Sequence, residues 1–140
     1  DALVMAAAPA DFRPRAAAAG KIKKDAGPPT LDLEPTPDVL LDTRDARRPG
    51  AVIVGFALET GDPVASASDK LRRKGLDLVV ANDATEPGAG FGVPTNRVTL
   101  VSADGAEPLP LLAKSEVAEE ILDRVAALLA ARASGGAGGR

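Results

Sequence analysis

The chain has 140 residues, a formal charge of −3, a charged fraction of 26%, and neither histidine nor cysteine. That length suits one domain with a single core, and the acidic balance excludes a general nucleic-acid binder held by a basic face. Without His or Cys there is no Ser-His-Asp triad, thiol nucleophile, disulfide framework or zinc site of the usual ligands.

What remains is Lys, Arg, Asp, backbone groups and a hard cation, a repertoire suited to phosphoryl or nucleotidyl transfer. The apolar fraction is 45% but includes only three Phe and no Tyr or Trp, so the core is aliphatic. No apolar run approaches the roughly 20 residues that span a bilayer, and nothing reads as a signal peptide. The lack of cysteine suits the cytoplasm.

The first element is Ala2-Leu3-Val4-Met5-Ala6-Ala7-Ala8, an unbroken apolar run of the kind buried inside a parallel sheet. It runs into Ala10-Asp11-Phe12-Arg13-Pro14 and then the lysine cluster Lys21-Ile22-Lys23-Lys24. Pro9 and Pro14 exclude a regular helix over 9–20. Thr30 to Leu33 alternates as a short strand. Thr36-Pro37-Asp38-Val39 reads as a helix start, with Thr36 as N-cap, Pro37 at the first helical position and Asp38 in the first turn. Leu40 and Leu41 give that helix an apolar side before Arg47, Arg48, Pro49 and Gly50 end it.

A second buried strand covers Ala51 to Ala57, and Asp62 caps a helix beginning at Pro63. Val64, Ala67 and Leu71 form its apolar face, and Lys70, Arg72, Arg73 and Lys74 suit its C-terminal end. Gly75 stops it. Asp77 to Asn82 is the third buried strand, followed by a Gly- and Pro-rich loop over 84–94 around Phe91. Asn96–Val101, the Asp104-Gly105 turn and Glu107–Leu111 read as a hairpin, its prolines placing the return arm at an edge. Ser115 to Ala131 is an amphipathic helix, started by Ser115 and presenting Val117, Ile121, Val125 and Leu128. Residues 132–140 read as a disordered Gly-rich tail.

This order implies an α/β fold: a Rossmann-like, mostly parallel sheet with helices on both faces and a C-terminal antiparallel hairpin, present as a partial domain. Parallel strands ending at Ala8, Ala57 and Asn82 bring those ends to one sheet edge, where ligands bind in such folds. Asp11, the lysine loop, Phe56, Glu59-Thr60 and Asn82-Asp83 are then expected around one cleft. No Gly-x-Gly-x-x-Gly or P-loop motif is present, so bound phosphates would be met by loop lysines and helix N-termini.

Taken together, Ala-Asp-Phe-Arg-Pro, Lys-Ile-Lys-Lys, the Pro-Asp helix start, Val-Gly-Phe-Ala-Leu-Glu-Thr, Lys-Leu-Arg-Arg-Lys-Gly-Leu-Asp and Ala-Asn-Asp resemble phosphopantothenoylcysteine synthetase. This is the phosphopantothenate–cysteine ligase of coenzyme A biosynthesis, in bacteria usually fused behind an FMN-dependent decarboxylase. The likeness covers residues 2–130, and residues 1–131 are expected to be the C-terminal portion of the synthetase domain. It implies a cytoplasmic homodimer that uses CTP with Mg²⁺ to join 4′-phosphopantothenate to cysteine through an acyl-cytidylate, releasing CMP and pyrophosphate. FMN would belong only to a fused decarboxylase domain.

Carried over by motif position, the resemblance makes Lys21 the catalytic cation over the reacting groups. It places nucleotide contacts on Ala7, Asp11, Lys21, Thr36, Pro37, Asp38, Val39, Phe56, Lys70 and Lys74. Metal ligands are left unassigned. Thr36 stands where the family commonly has Asn, and Pro9 where it has an apolar residue. The family's Gly-rich first turn and acyl-cytidylate-steadying Asn have no counterpart here, so the chain alone is expected to be inactive. The alternative is a non-catalytic nucleotide-binding or dimerisation module.

Overall fold

The computed structural model describes residues 1–23, 27–83, 85–90 and 92–135. Its central sheet has the order β1-β4-β5-β7-β8, with β1 Ala2–Met5, β4 Val52–Glu59, β5 Leu78–Asp83, β7 Val98–Ser102 and β8 Gly105–Pro108. Strands β1, β4 and β5 run parallel, whereas β7 and β8 are antiparallel. The expected α/β class, mostly parallel sheet and C-terminal hairpin are therefore present.

Two-residue alternation along the strands builds two aliphatic layers. Val52, Val54, Leu78, Val80, Val98 and Leu100 meet Val117, Ile121 and Val125 of helix α3, Lys114–Gly135. On the other face Ile53, Ala57, Val79, Ala81 and Val101 meet Ala67 and Leu71 of helix α2, Pro63–Lys74, together with Leu40 and Leu76. Among the described residues no polar or charged residue is fully buried.

Helix α2 has the expected limits for the expected reasons. The Asp62 carboxylate accepts the amides of Val64 and Ala65, both at 3.0 Å, and Gly75 ends the helix at φ 59°, a left-handed cap that glycine adopts without strain.

The first strand departs from expectation. The run 2–8 is an edge strand only as far as Met5 rather than a buried inner strand, with Leu3 and Val4 38% and 40% exposed. Among the described residues its one sheet neighbour is β4, and the helices pack over the strands beyond it. Ala6 to Ala8 leave the sheet as loop.

Three further boundaries differ. The strand expected over 30–33 is β3, Leu33–Pro35, which pairs antiparallel with β2, Phe12–Pro14, inside the stretch read as loop. Asp38, not Thr36, caps helix α1, Val39–Asp42, its carboxylate accepting the Leu41 amide at 3.2 Å. The Thr36 hydroxyl is engaged elsewhere, donating to Ala10 O, so it is the Asp38 carboxylate that meets the free amide of the first turn. After four residues the helix gives way to a 3₁₀ turn, Arg44–Ala46.

Helix α3 starts at Lys114, with Glu116 accepting the Ala113 amide at 2.8 Å in place of a Ser115 cap. It continues to Gly135, so residues 132–135 are helical rather than part of a loose tail. Arg132 accounts for this extension: its guanidinium donates to Gly50 O, 3.1 Å away, and to Ala51 O, and pairs with Asp77. Residues 136–140, Lys24 and Phe91, all named above, lie outside the described residues. The strand expected over 96–101 is interrupted at Arg97, and its first part, β6 Thr95–Asn96, pairs instead with β9 Leu112–Ala113. No helix of the described residues is long and apolar enough to cross a membrane.

Candidate functional site

A cleft of about 550 Å³ opens at the C-terminal ends of the parallel strands, the position where open α/β sheets take ligands. One wall is the segment Met5–Asp11 leaving β1, and the facing wall is Thr36–Leu40 entering α1. Phe56, Ala57 and Leu58 of β4 and Asn82 of β5 form the floor. Lys70 and Lys74, one turn apart on α2, project from the third side.

The two loop walls are tied together at Thr36. Its amide donates to Asp11 O at 2.9 Å and its hydroxyl donates to Ala10 O. The side chain that stands where the resemblance expects Asn is thus already engaged, in fixing the spacing of the walls. Behind them, β2 and β3 form a ribbon braced by Arg13 Nε donating to Glu34 Oε1 at 2.8 Å.

The electrostatics centre on the lysine pair. Lys74 Nζ lies 2.6 Å from Asp38 Oδ2. Partial burial pushes the Asp38 carboxyl up, but the hydrogen bond from Lys74 and the amides of Leu41 and Leu40 outweigh it and hold the pKa below 3.8. Lys70 Nζ donates to the Phe56 carbonyl. Burial, joined by the like charge of Lys74, moves its pKa below 10.5, against an opposing pull from Glu59 and Asp38. Among the described residues no carboxylate pairs with this half-buried cation, which makes it an energetically open position for an anion.

Every site residue named in the sequence except Lys21 lines this cleft: Ala7, Asp11, Thr36, Pro37, Asp38, Val39, Phe56, Lys70 and Lys74. Lys21 is exposed and lines no part of it, while Lys23 borders a shallow hollow with Ile22 and Gly27–Pro29. Glu59, Thr60 and Asp83 are likewise outside the lining, although Asn82 is within it. The cations that line the cleft come from the C-terminal half of α2 rather than from loop lysines, and the helix start that lines it is that of α1. Phe56 packs against the α3-side core and also lines the cleft floor.

Sequence reasoning missed Arg47, which was read only as part of a helix end. Its guanidinium donates to Lys74 O at 3.2 Å, to Gly75 O at 2.8 Å and to Leu40 O. No local pattern announces contacts with partners so distant along the chain.

Comparison with known proteins bears on the family and the fold. Residues 1–129 match the family described as DNA/pantothenate metabolism flavoprotein C-terminal domain. The chain is 43% identical over 129 residues to the coenzyme A biosynthesis bifunctional protein CoaBC of Bacillus subtilis, covering 91% of this chain and 32% of that protein. It is 39% identical over 130 residues to a cysteine/cysteine sulfinic acid decarboxylase of an unknown prokaryotic organism, covering 92% of this chain and 36% of that one. A crystal structure of the C-terminal domain of a CoaBC protein superposes with a TM-score of 0.70 at 33% identity, covering 92% of this chain and 55% of that one. The chain spans about a third of the length of these two curated relatives. It belongs to the DNA/pantothenate metabolism flavoprotein C-terminal domain family and corresponds to part of the C-terminal domain of the CoaBC proteins.

Proposed function

We propose that this chain carries the CTP-binding part of a phosphopantothenate–cysteine ligase of coenzyme A biosynthesis. The observation that supports the reading is the convergence of Asp11, Asp38 and the Lys70–Lys74 pair, from three separate segments, on one cleft at the sheet edge. In the proposed reaction a 4′-phosphopantothenate carboxylate oxygen attacks the α-phosphorus of CTP, and the bond to the β-phosphate oxygen breaks. Pyrophosphate leaves and an acyl-cytidylate forms. The cysteine amine then attacks the acyl carbon, CMP departs with the former carboxylate oxygen, and the amine loses its proton to solvent. Neither step needs a nucleophile from the protein, which fits a chain without His or Cys.

Lys70 and Lys74 would meet the triphosphate, where cations offset charge that the leaving pyrophosphate gathers. Asp11, Ala7 and the Thr36–Val39 wall would hold the nucleoside. Lys21 would act at the reacting groups only if its loop moved toward the cleft. Mg²⁺ would neutralise the triphosphate. Among the described residues no three acidic, His or Cys side chains stand together as a metal cage, so the ion would be held mainly by phosphate oxygens. A homodimer in the cytoplasm is the expected setting.

The test is to supply the full-length protein with CTP, 4′-phosphopantothenate and cysteine and to measure CMP and pyrophosphate. Release of both in equal amounts, dependent on both co-substrates, is expected; ATP hydrolysis with CTP untouched would overturn the nucleotide assignment. Normal turnover of Lys21→Gln would remove that lysine from the mechanism. A second reading, a non-catalytic nucleotide-binding or dimerisation module, is favoured by one feature: β8 is an edge strand exposed at every position. It predicts CTP binding, or pairing through the 96–112 segment, without product.

A further inference from the structure

We propose that Arg47 is a positioning residue for nucleotide binding, a clamp that sets the separation of Asp38 from Lys74 and hence the width of the cleft. The inference rests on reading the cleft as a CTP site, and it concerns a residue outside the cleft lining.

The last carbonyls of a helix have no partners within it and carry the negative end of its dipole. Here two such ends converge. Leu40 O belongs to the four-residue helix α1, and Lys74 O and Gly75 O close α2. One guanidinium meets all three: Arg47 Nη1 donates to Lys74 O at 3.2 Å and Gly75 O at 2.8 Å, and Nη2 donates to Leu40 O. Two negative helix ends held this close repel one another unless a cation lies between them. A planar fork that donates in two directions suits the place, whereas an ammonium, as a point charge, does not. Arg47 Nε is buried without a partner, so the side chain is held here by its two terminal nitrogens.

The contact acts on the cleft through both of its partners. Lys74 sends its carbonyl to Arg47 and its ammonium to Asp38, 2.6 Å away. Asp38 caps the same short helix whose Leu40 carbonyl Arg47 holds. A helix of one turn has little stability of its own, so the wall carrying Pro37, Asp38 and Val39 takes its position from tertiary tethers. These are the buried Leu40 side chain, the Lys74–Asp38 pair and Arg47.

The experiment is a double-mutant cycle in the full-length protein, reading CTP affinity and the rate of pyrophosphate release at saturating CTP. Arg47→Gln is expected to weaken CTP binding roughly tenfold, within the range by which residues without ligand contact alter binding. The saturated rate should stay within about twofold, because the reacting atoms do not touch Arg47. In a Lys74→Ala background the further loss from Arg47→Gln should be smaller than in the wild type, since the part that acts through the Lys74–Asp38 spacing is already gone while the tether to Leu40 O remains. Arg47→Lys keeps a cation at the helix ends and should recover melting temperature more fully than affinity, which also serves if Arg47→Gln fails to fold. Undiminished affinity in a destabilised Arg47→Gln, or full additivity with Lys74→Ala, would overturn the proposal. A wild-type protein that does not bind CTP would instead remove the reading beneath it.

Discussion

The ammonium of Lys74, on the last turn of α2, lies 2.6 Å from the carboxylate of Asp38, the residue that caps α1. Their side chains are 13% and 34% exposed, so the pair is screened only in part. It joins two walls of the cleft, and its chemistry is open to a direct test.

The carboxyl of Asp38 is held below 3.8 in the folded protein, because Lys74 and the α1 amides outweigh burial. A folded value below the unfolded one stabilises the protein above the unfolded value, near 3.9. That contribution is lost as pH falls through the folded value. Asp38→Asn keeps an acceptor for the Leu41 amide but removes the charge, and should cost about 0.5 kcal/mol at pH 7 after allowing for exposure. The gap between wild type and variant in urea unfolding should shrink steadily below pH 4. An equal gap at pH 7 and pH 2.5 would show that the ion pair contributes nothing.

Lys70 should make CTP binding pH-dependent in the alkaline range. Burial and the neighbouring charge of Lys74 lower its pKa below 10.5, and the protonated form is the one that attracts a triphosphate. Affinity should therefore decline as pH rises through the lowered value, earlier than an unperturbed lysine would allow. Lys70→Gln should bind roughly tenfold more weakly near neutral pH and lose most of that dependence. Dissociation constants measured from pH 7 to 10 for the two proteins decide the matter; parallel curves would exclude Lys70 as the titrating group.

Asp77 links two interactions that mutation can separate. Its Oδ2 accepts the Ile53 amide at 2.7 Å and its Oδ1 pairs with Arg132. Asp77→Ala leaves the Ile53 amide without its acceptor and should cost about 1–3 kcal/mol. Asp77→Asn, which retains an acceptor, should cost less. Arg132→Gln should also cost less, although it should loosen the last turn of α3. Hydrogen exchange at the Ile53 amide, together with chemical denaturation, gives the ordering; a larger loss from Arg132→Gln would reverse it.

Gly55 is required by its neighbour across the layer. A Cβ there would stand 2.8 Å from Leu76 Cδ1 and 3.5 Å from Leu40 Cδ1. Gly55→Ala should therefore cost about 1–3 kcal/mol by overpacking, and Leu76→Ala in the same chain should recover part of it. Because Leu40 anchors α1, the variant should also weaken CTP binding. Unchanged thermal unfolding would show that Leu76 repacks freely.

The interior elements were legible because their causes are local. Val52, Val54, Val79 and Val80 alternate between two covered faces, and α2 carries its own cap, apolar stripe and glycine stop. The same reasoning failed at β1, where an apolar run implied a buried strand that the structure leaves at an edge with Leu3 and Val4 in part exposed. Composition reports what a strand tolerates on its faces; which elements cover those faces depends on the rest of the fold. At α1 the helix start was legible, but the cap was placed two residues early because the Thr36 hydroxyl is taken by the distant Ala10 carbonyl, leaving the cap to Asp38.

By itself the sequence determined that an aliphatic α/β sheet would form and that Lys70 and Lys74 would share one helix face, since four-residue spacing on a helix has a single geometric outcome. It also determined that no His or Cys among these 140 residues contributes to the site. Only the tertiary structure decided that Lys74 meets Asp38, that Thr36 binds the Ala10–Asp11 loop, that Arg47 closes two helix ends, and that Lys21 stands away from the cleft. Those partners come from separate elements, and a side chain's choice among distant groups is made by how the layers pack, a quantity that no local spacing encodes.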